Sequence, residues 1–196
     1  MRRLVNVAVL LVAIGVLFAM QQTKPRYGEL TGAIPVHGKM HEKVRARQFE
    51  VTLDEVVFAR ELAVTEFGKT RIATTSGLWA IVTAELGATE SSTGVSSAIW
   101  KGPTGLLFNL SDRGGSSGDQ QPPFLVEPGL PKKVRFVFEI NPDQVNGATL
   151  LVSSKMEPVL DSEARISIDD FRKFNDGAPL TVDRFDLSRP VNIAGN

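Results

Sequence analysis

The sequence contains no cysteine, and this absence removes several classes of protein at once. Without thiols the chain has no disulfides, no thiolate metal site, no cysteine nucleophile and no lipoprotein-type acylated cysteine. Its stability must therefore come from the burial of apolar side chains. The missing cysteines do not identify a compartment, because an oxidising environment permits disulfides without requiring them.

The sequence also lacks an excess of charge of either sign. It has 22 Lys and Arg against 22 Asp and Glu, so its formal net charge is zero. Proteins that bind nucleic acid usually present a basic surface to the phosphate backbone, and we therefore expect no nucleic-acid partner. The 196 residues suit one ordinary domain with accessory segments.

One long apolar run is present, and it lies at the N-terminus. Residues 4–20 contain no charged side chain, and as a helix they would reach roughly 25 Å, slightly less than the ~30 Å hydrocarbon core of a bilayer. The end of the run is a poor cleavage site for a signal peptidase, although the small residues of Ala13-Ile14-Gly15 leave a cleaved signal peptide as the alternative. We predict a retained transmembrane signal-anchor at residues 1–20.

The charges that flank this run predict its orientation. Arg2 and Arg3 precede it, whereas Lys24 and Arg26 follow it and are partly offset by Glu29. Positive charge favours the cytoplasmic side, and a short N-terminal tail stays there more easily than the rest of the chain would. We predict a single-pass protein of the inner or plasma membrane, with its N-terminus inside and its globular part periplasmic or extracellular.

The remaining chain divides by composition into three parts. Residues 21–44 are interrupted by proline and glycine and predict a linker. Residues 45–168 contain short segments of alternating polarity separated by turn residues. Residues 169–196 form a polar C-terminal tail with scattered large apolar residues.

The strongest strand pattern occurs after Pro128-Gly129, where apolar residues occupy every second position. This alternation predicts a strand with one core face and one largely wet face. Residues 77–87 are apolar on both faces, as in a central strand, and place Trp79 in or beside the core. The predicted core face consists of Val134, Phe136, Phe138 and Ile140.

Counted along the chain, these patterns give seven to nine strands and no convincing amphipathic helix. Short strands separated by turns are typical of a sandwich or a barrel rather than of alternating strands and helices. We predict an all-β, immunoglobulin-like antiparallel sandwich over residues 45–168. A lipocalin-like barrel is less favoured because the strands are short and unequal.

Three segments carry a resemblance to a known family. The run FLVEPGLPKKVRFVFEINPDQVNGATLLV resembles the second half of the immunoprotective extracellular immunoglobulin-like domain, which occurs on bacterial envelope proteins and lipoproteins. The earlier QFEVTLDEVVFAREL and GLWAIVTAEL are similar to its opening and central strands. The resemblance covers residues 45–153 and implies an immunoglobulin-like sandwich outside the cytoplasm. It carries over no catalytic positions, and the missing lipoprotein cysteine and the extra tail depart from the family pattern.

Candidate chemical groups are few. His37 and His41 are four residues apart, as metal ligands on one helix face would be, and Met40 would complete a soft site. Pro35 and Gly38 oppose a helix there, so these three are weak metal candidates. With both histidines in this segment and no Gly-x-Ser-x-Gly motif, a serine hydrolase is the least favoured alternative. We expect no cofactor and no enzymatic activity.

These features favour an interaction module anchored in the envelope, which could be an accessory subunit of a membrane assembly. Ala8, Gly15 and Ala19 share one face of the anchor and would admit a second helix. The alternative is an envelope protein that binds a small ligand or a metal. We predict a protein partner in the same membrane, bound through tail residues Phe171, Phe174, Phe185 and Leu187.

Overall fold

The computed structural model describes residues 2–23, 31–66, 68–115, 121–174 and 177–188. The chain divides into two compact units, residues 1–32 and residues 33–196. The first contains a helix, α1, Arg2–Gln22, in which no residue is buried. Its 21 residues are long and apolar enough to cross a membrane, since they extend over about 32 Å. A signal sequence has the same properties.

The second unit is a β-sandwich built on two main sheets. The first sheet contains five strands: β1, Ile34–Lys39; β6, Ser97–Lys101; β7, Leu107–Asn109; β10, Thr149–Ser153; and β11, Ser162–Ser167. Their order is β1-β11-β10-β6-β7. All neighbours are antiparallel except β1 and β11.

The second sheet is dominated by one long hairpin. Its strands are β2, Lys43–Arg45; β3, Phe49–Glu66; β4, Lys69–Ala88; β9, Lys132–Ile140; and β12, Thr181–Asp186. Their order is β12-β3-β4-β9, and β2 also pairs with β3. The β12 strand is parallel to β3. A small third sheet pairs β5, Thr93–Val95, with β8, Phe124–Val126.

The core lies between the two main sheets, as the alternation in β9 predicts. Val134, Phe136, Phe138 and Ile140 are all buried there, which confirms the predicted core face. Aromatic side chains fill much of this interior, and the Phe136 ring packs edge-on against the Phe124 ring at 5.4 Å between centroids. Such pairs stabilise a core beyond their area of burial. The all-β sandwich fold is thereby confirmed.

The other face of β9 is only partly exposed to solvent. Arg135 and Val137 are buried there, so the prediction of a largely wet face is wrong for these two residues. Leu187, just after β12, belongs to the same outer cluster, and its carbonyl accepts a hydrogen bond from Arg135 Nη1 at 3.1 Å. Trp79 is fully buried in this outer cluster rather than between the sheets.

The strands extend beyond the segments in which the sequence predicts them. The described parts of the chain contain twelve strands, more than the seven to nine expected. The strand β1 and the first two residues of β2 lie within residues 21–44, and β12 lies within the C-terminal tail. Pro35 and Gly38 conceal β1 in the sequence because both are rare inside strands. Residues 111–123 are rich in Gly, Ser and Pro, a composition that predicts a mobile surface loop. They contain a short 3-10 helix, Asp112–Gly114, and residues 116–120 lie outside the described residues.

Candidate functional site

One edge of β3 is paired at both ends but open in the middle. Near its start β3 pairs with β2, and His41 N donates to Leu53 O at 2.9 Å. From Phe58 onward the same strand pairs with β12. Between these points, residues 54–57 have a strand neighbour only on the β4 side within the described chain. A register shift between Leu53 and Glu55 marks a β-bulge at this position, and bulges commonly end or redirect strand pairing.

A groove of about 800 Å³ lies along this open edge. Three large apolar side chains that line it are exposed to solvent: Ile72 on β4, Leu180 just before β12, and Val182 on β12. Half-buried Val57 and Phe185 add further apolar surface. An exposed apolar residue is ordinary by itself, but several in one concave site are typical of a binding surface.

The segment between β11 and β12 forms the opposite wall of the groove. Phe171 packs edge-on against the core residue Phe58 at 5.2 Å between ring centroids, which fixes the start of the segment. Farther along, Phe174 N donates to Ala178 O at 2.8 Å and Leu180 N donates to Arg172 O at 2.8 Å. These hydrogen bonds hold Leu180 in the lining of the groove.

Charged pairs surround the apolar part of the groove. His41 Nε2 lies 2.9 Å from Asp170 Oδ2, and both side chains are largely exposed. Arg184 pairs with Glu61 at 2.7 Å. Asp54 pairs with Lys133 at 3.2 Å. The charged residues that line the groove include Asp54, Glu55, Asp170 and Asp186 as well as Arg172 and Arg184. The groove is therefore suited to a partner with polar as well as apolar groups.

The three weak metal candidates do not converge. His37 is exposed on β1, and Met40 is buried in the inner core. His41 lies in the turn after β1 with φ of 65°, and its side chain is directed to Asp170. The described residues contain no group of three or more His, Cys, Asp or Glu that could hold a metal ion.

The four tail residues occupy different environments. Phe171 packs against the core, and Phe185 packs against the outer cluster beneath the Arg135 guanidinium. Leu187 is buried in that cluster, whereas Phe174 is exposed. The helix residues Ala8, Gly15 and Ala19 are exposed on α1. Among the predicted tail residues, Phe174 therefore offers the most accessible side chain.

Among the groove residues, the sequence singles out His41, Phe171 and Phe185 but not Ile72, Leu180 or Val182. Ile72 lies in a segment that reads as a short polar strand, and Leu180 and Val182 lie in the tail. Their only sequence signal is large apolar character in polar surroundings. The groove forms because β12 pairs with a strand more than a hundred positions earlier in the chain, and no local pattern predicts such a pairing.

Comparison with protein-family models gives no match, and neither does comparison with curated proteins. Among solved structures, the chain is similar to an uncharacterized beta-sandwich protein from Clostridium difficile 630. The TM-score is 0.44, with 10% identity, 74% of this chain covered and 100% of that chain. The chain is also similar to a conserved hypothetical protein from Bacillus anthracis. Here the TM-score is 0.43, with 14% identity, 63% of this chain covered and 93% of that chain. The similarity concerns the fold alone.

Proposed function

We propose that the protein is a membrane-tethered, extracytoplasmic interaction module that binds a protein partner in its groove. The groove carries this proposal, because it combines the exposed side chains of Ile72, Leu180 and Val182 with the open edge of β3. An open strand edge offers backbone donors and acceptors to an extended peptide. The neighbouring apolar side chains would supply the buried contacts that give such a complex its affinity.

The location outside the cytoplasm is inferred from α1 and its flanks. The helix is apolar on all sides and has no buried residue, which is unusual for a helix of a soluble protein. Arg2 and Arg3 precede the apolar run and favour an N-terminus inside. We also propose that residues 45–153 belong to the immunoprotective extracellular immunoglobulin-like domains, a membership that no family model shows and that would imply the same location.

The proposal assigns binding rather than catalysis. The groove contains a histidine and a carboxylate in contact, His41 and Asp170, but both side chains are more than half exposed. Catalytic acids and bases are usually desolvated and held by further groups that orient them. The pair is therefore interpreted as a surface contact that joins the β1–β2 turn to the segment after β11.

The absence of cysteine makes the location directly testable. Two single-cysteine variants, Glu90→Cys in an exposed turn of the domain and a cysteine inserted between Met1 and Arg2 so that both arginines are kept, would be treated with a membrane-impermeant maleimide in intact spheroplasts. We expect labelling at position 90 without lysis and at the inserted cysteine only after permeabilisation. The reverse pattern would refute the proposed topology. N-terminal sequencing of the purified chain distinguishes a retained anchor from a cleaved signal peptide.

The groove is testable by site-specific photocrosslinking in native membranes. A photoreactive amino acid at Val182 should give an adduct of one defined mass, and the same probe at Leu107, which is exposed on β7, should not. Adding Ile72→Glu should abolish the adduct at Val182, because a charge on the groove floor opposes apolar contact. Equal adducts at both positions, or an adduct insensitive to Ile72→Glu, would contradict groove binding.

The size of the groove favours a second candidate function. Small-molecule sites commonly enclose roughly 300–1,000 Å³, and the groove lies within that range. Native mass spectrometry of the chain purified in mild detergent would distinguish the two functions. A bound small molecule that Ile72→Glu removes would favour a ligand carrier over a protein-binding module.

A further inference from the structure

A second group of exposed apolar side chains lies at one end of the first sheet. Met156, Val159 and Leu160 belong to the loop between β10 and β11, and their exposed fractions are 73%, 54% and 62%. Ile34, the first residue of β1, is also exposed. It lies beside this loop, because its amide donates to the Asp161 carbonyl at 2.8 Å. These four residues are called the tether-end patch.

Hydrogen bonds fix the backbone at the end of this loop, next to its exposed apolar side chains. Leu160 has φ of 49°, a left-handed conformation that few residues other than glycine adopt. The next residue, Asp161, is buried. Its carboxylate accepts two hydrogen bonds from the Arg47 guanidinium, both at 2.9 Å, and one from the Ser162 amide at 2.8 Å.

The chain path connects this end of the sheet to α1. Residues 23–33 are the only covalent link between α1 and β1. Even fully extended, a link of this length reaches only about 40 Å. If α1 spans a bilayer, the end of the sheet at which β1 begins is therefore the tethered end. Ile34 and Leu160 lie at that end because Ile34 is paired with Ser162.

Exposed leucines at the opposite end of the same sheet provide a reference. The exposed residues Leu106 and Leu107 lie at the end of the sheet where β10 begins, because Lys101 pairs with Thr149 on one side and with Leu107 on the other. The loop of the patch follows the other end of β10, where Ser153 pairs with Ser97. The reference residues have similar exposure but no tether beside them. A comparison of the two ends therefore tests whether membrane contact depends on position in the sheet rather than on the exposure of an apolar side chain alone.

We propose that the tether-end patch docks on the surface of the bilayer that holds α1, with Leu160 and Met156 inserted at the boundary between headgroups and acyl chains. Apolar side chains gain free energy at this depth. The charged residues of the loop, Lys155 and Glu157, are opposite in sign, so docking does not require anionic lipid. This inference rests on the proposed membrane tether. Docking would restrict the orientation of the domain relative to the membrane.

The test uses the full chain in phosphatidylcholine vesicles. Single-cysteine variants Leu160→Cys and Leu107→Cys would each carry an environment-sensitive fluorophore, with and without lipids that bear a nitroxide near the headgroup. We expect strong quenching and a blue-shifted emission at position 160, and neither effect at position 107. A third variant, Met156→Cys, repeats the measurement away from the left-handed position and should behave like position 160.

Contrary outcomes separate this inference from the proposed function. Equal quenching at positions 160 and 107, or none at positions 160 and 156, would overturn docking when the vesicles still carry the protein in a flotation gradient. Failure of the chain to float would instead refute the tether. A blue shift at position 160 that depends on protein concentration in lipid-free detergent would identify the patch as a contact between two copies and also overturn docking.

Discussion

At the scale of single residues, Asp161 predicts how stability depends on pH. The hydrogen bonds from Arg47, followed by the bond from the Ser162 amide and the charges of Arg47 and Lys155, lower the pKa of its carboxyl group, although burial opposes them. A carboxylate whose pKa is lower in the folded state contributes stability above its unfolded pKa of about 3.9, and this contribution is lost as the pH falls through the folded value. We expect Asp161→Asn to reduce the free energy of unfolding at neutral pH by about 1–3 kcal/mol.

Thermal melting followed by tryptophan fluorescence would measure this effect, because Trp79 and Trp100 are both buried in the domain. The difference between wild type and Asp161→Asn should shrink as the pH falls through the folded pKa of Asp161, because the protonated acid and the amide are both uncharged. Glu157→Gln, which neutralises an exposed carboxylate in the same loop, should leave the melting curve nearly unchanged. A difference that is constant with pH would show that the charge of Asp161 does not cause it.

Phe136 gives a second prediction at the residue scale. Its side chain is fully buried between the sheets, so Phe136→Ala should cost about 3–5 kcal/mol by leaving a cavity. Lys133 on the other face of β9 forms a partly exposed ion pair with Asp54, and Lys133→Ala should cost about 0–1 kcal/mol. Comparable shifts in melting temperature for the two variants would contradict the register of β9 described above.

At the scale of elements, β12 makes the C-terminal segment part of the domain. It adds a strand to the edge of β3 and leads into Leu187, which covers the outer cluster. Ending the chain after Leu180 should therefore lower the melting temperature, because the edge of β3 and the side chains beneath Leu187 would become exposed to water. A chain that ends after Ser188 keeps β12 and Leu187 and should melt at a higher temperature than the shorter chain. Equal melting of both truncations would show that β12 contributes little to stability.

The elements differ in how far their sequences predict them. The sequence predicts the β9 strand and its core face, because Val134, Phe136, Phe138 and Ile140 occupy every second position and this pattern is local. The β12 strand has no such alternation, and its pairing with β3 is decided by contacts distant in the chain. Burial of Arg135 depends on Leu187, 52 positions later. The groove could not be predicted for the same reason, because it forms only when β2 and β12 leave a gap on one edge.

At the scale of the whole molecule, the chain combines an apolar helix with a separate β-sandwich unit. The groove and the tether-end patch share no residues. Contact of the patch with lipid would therefore occupy none of the side chains that line the groove. A partner in the same membrane could also contact α1, since close approach of two helices requires small residues on the facing sides.

The contribution of α1 to partner binding can be tested by leucine substitutions on two opposite faces of the helix. Gly15 and Ala19 are one turn apart on the face that also carries Ala8, whereas Ala13 lies on the opposite side of the helix. Gly15→Leu with Ala19→Leu should weaken co-purification of the groove partner in mild detergent, because the larger side chains hold two helix backbones apart. Ala13→Leu adds the same kind of bulk and should leave co-purification unchanged. Equal loss with both sets would indicate a general effect on the helix, and no loss with either would assign the association to the sandwich alone.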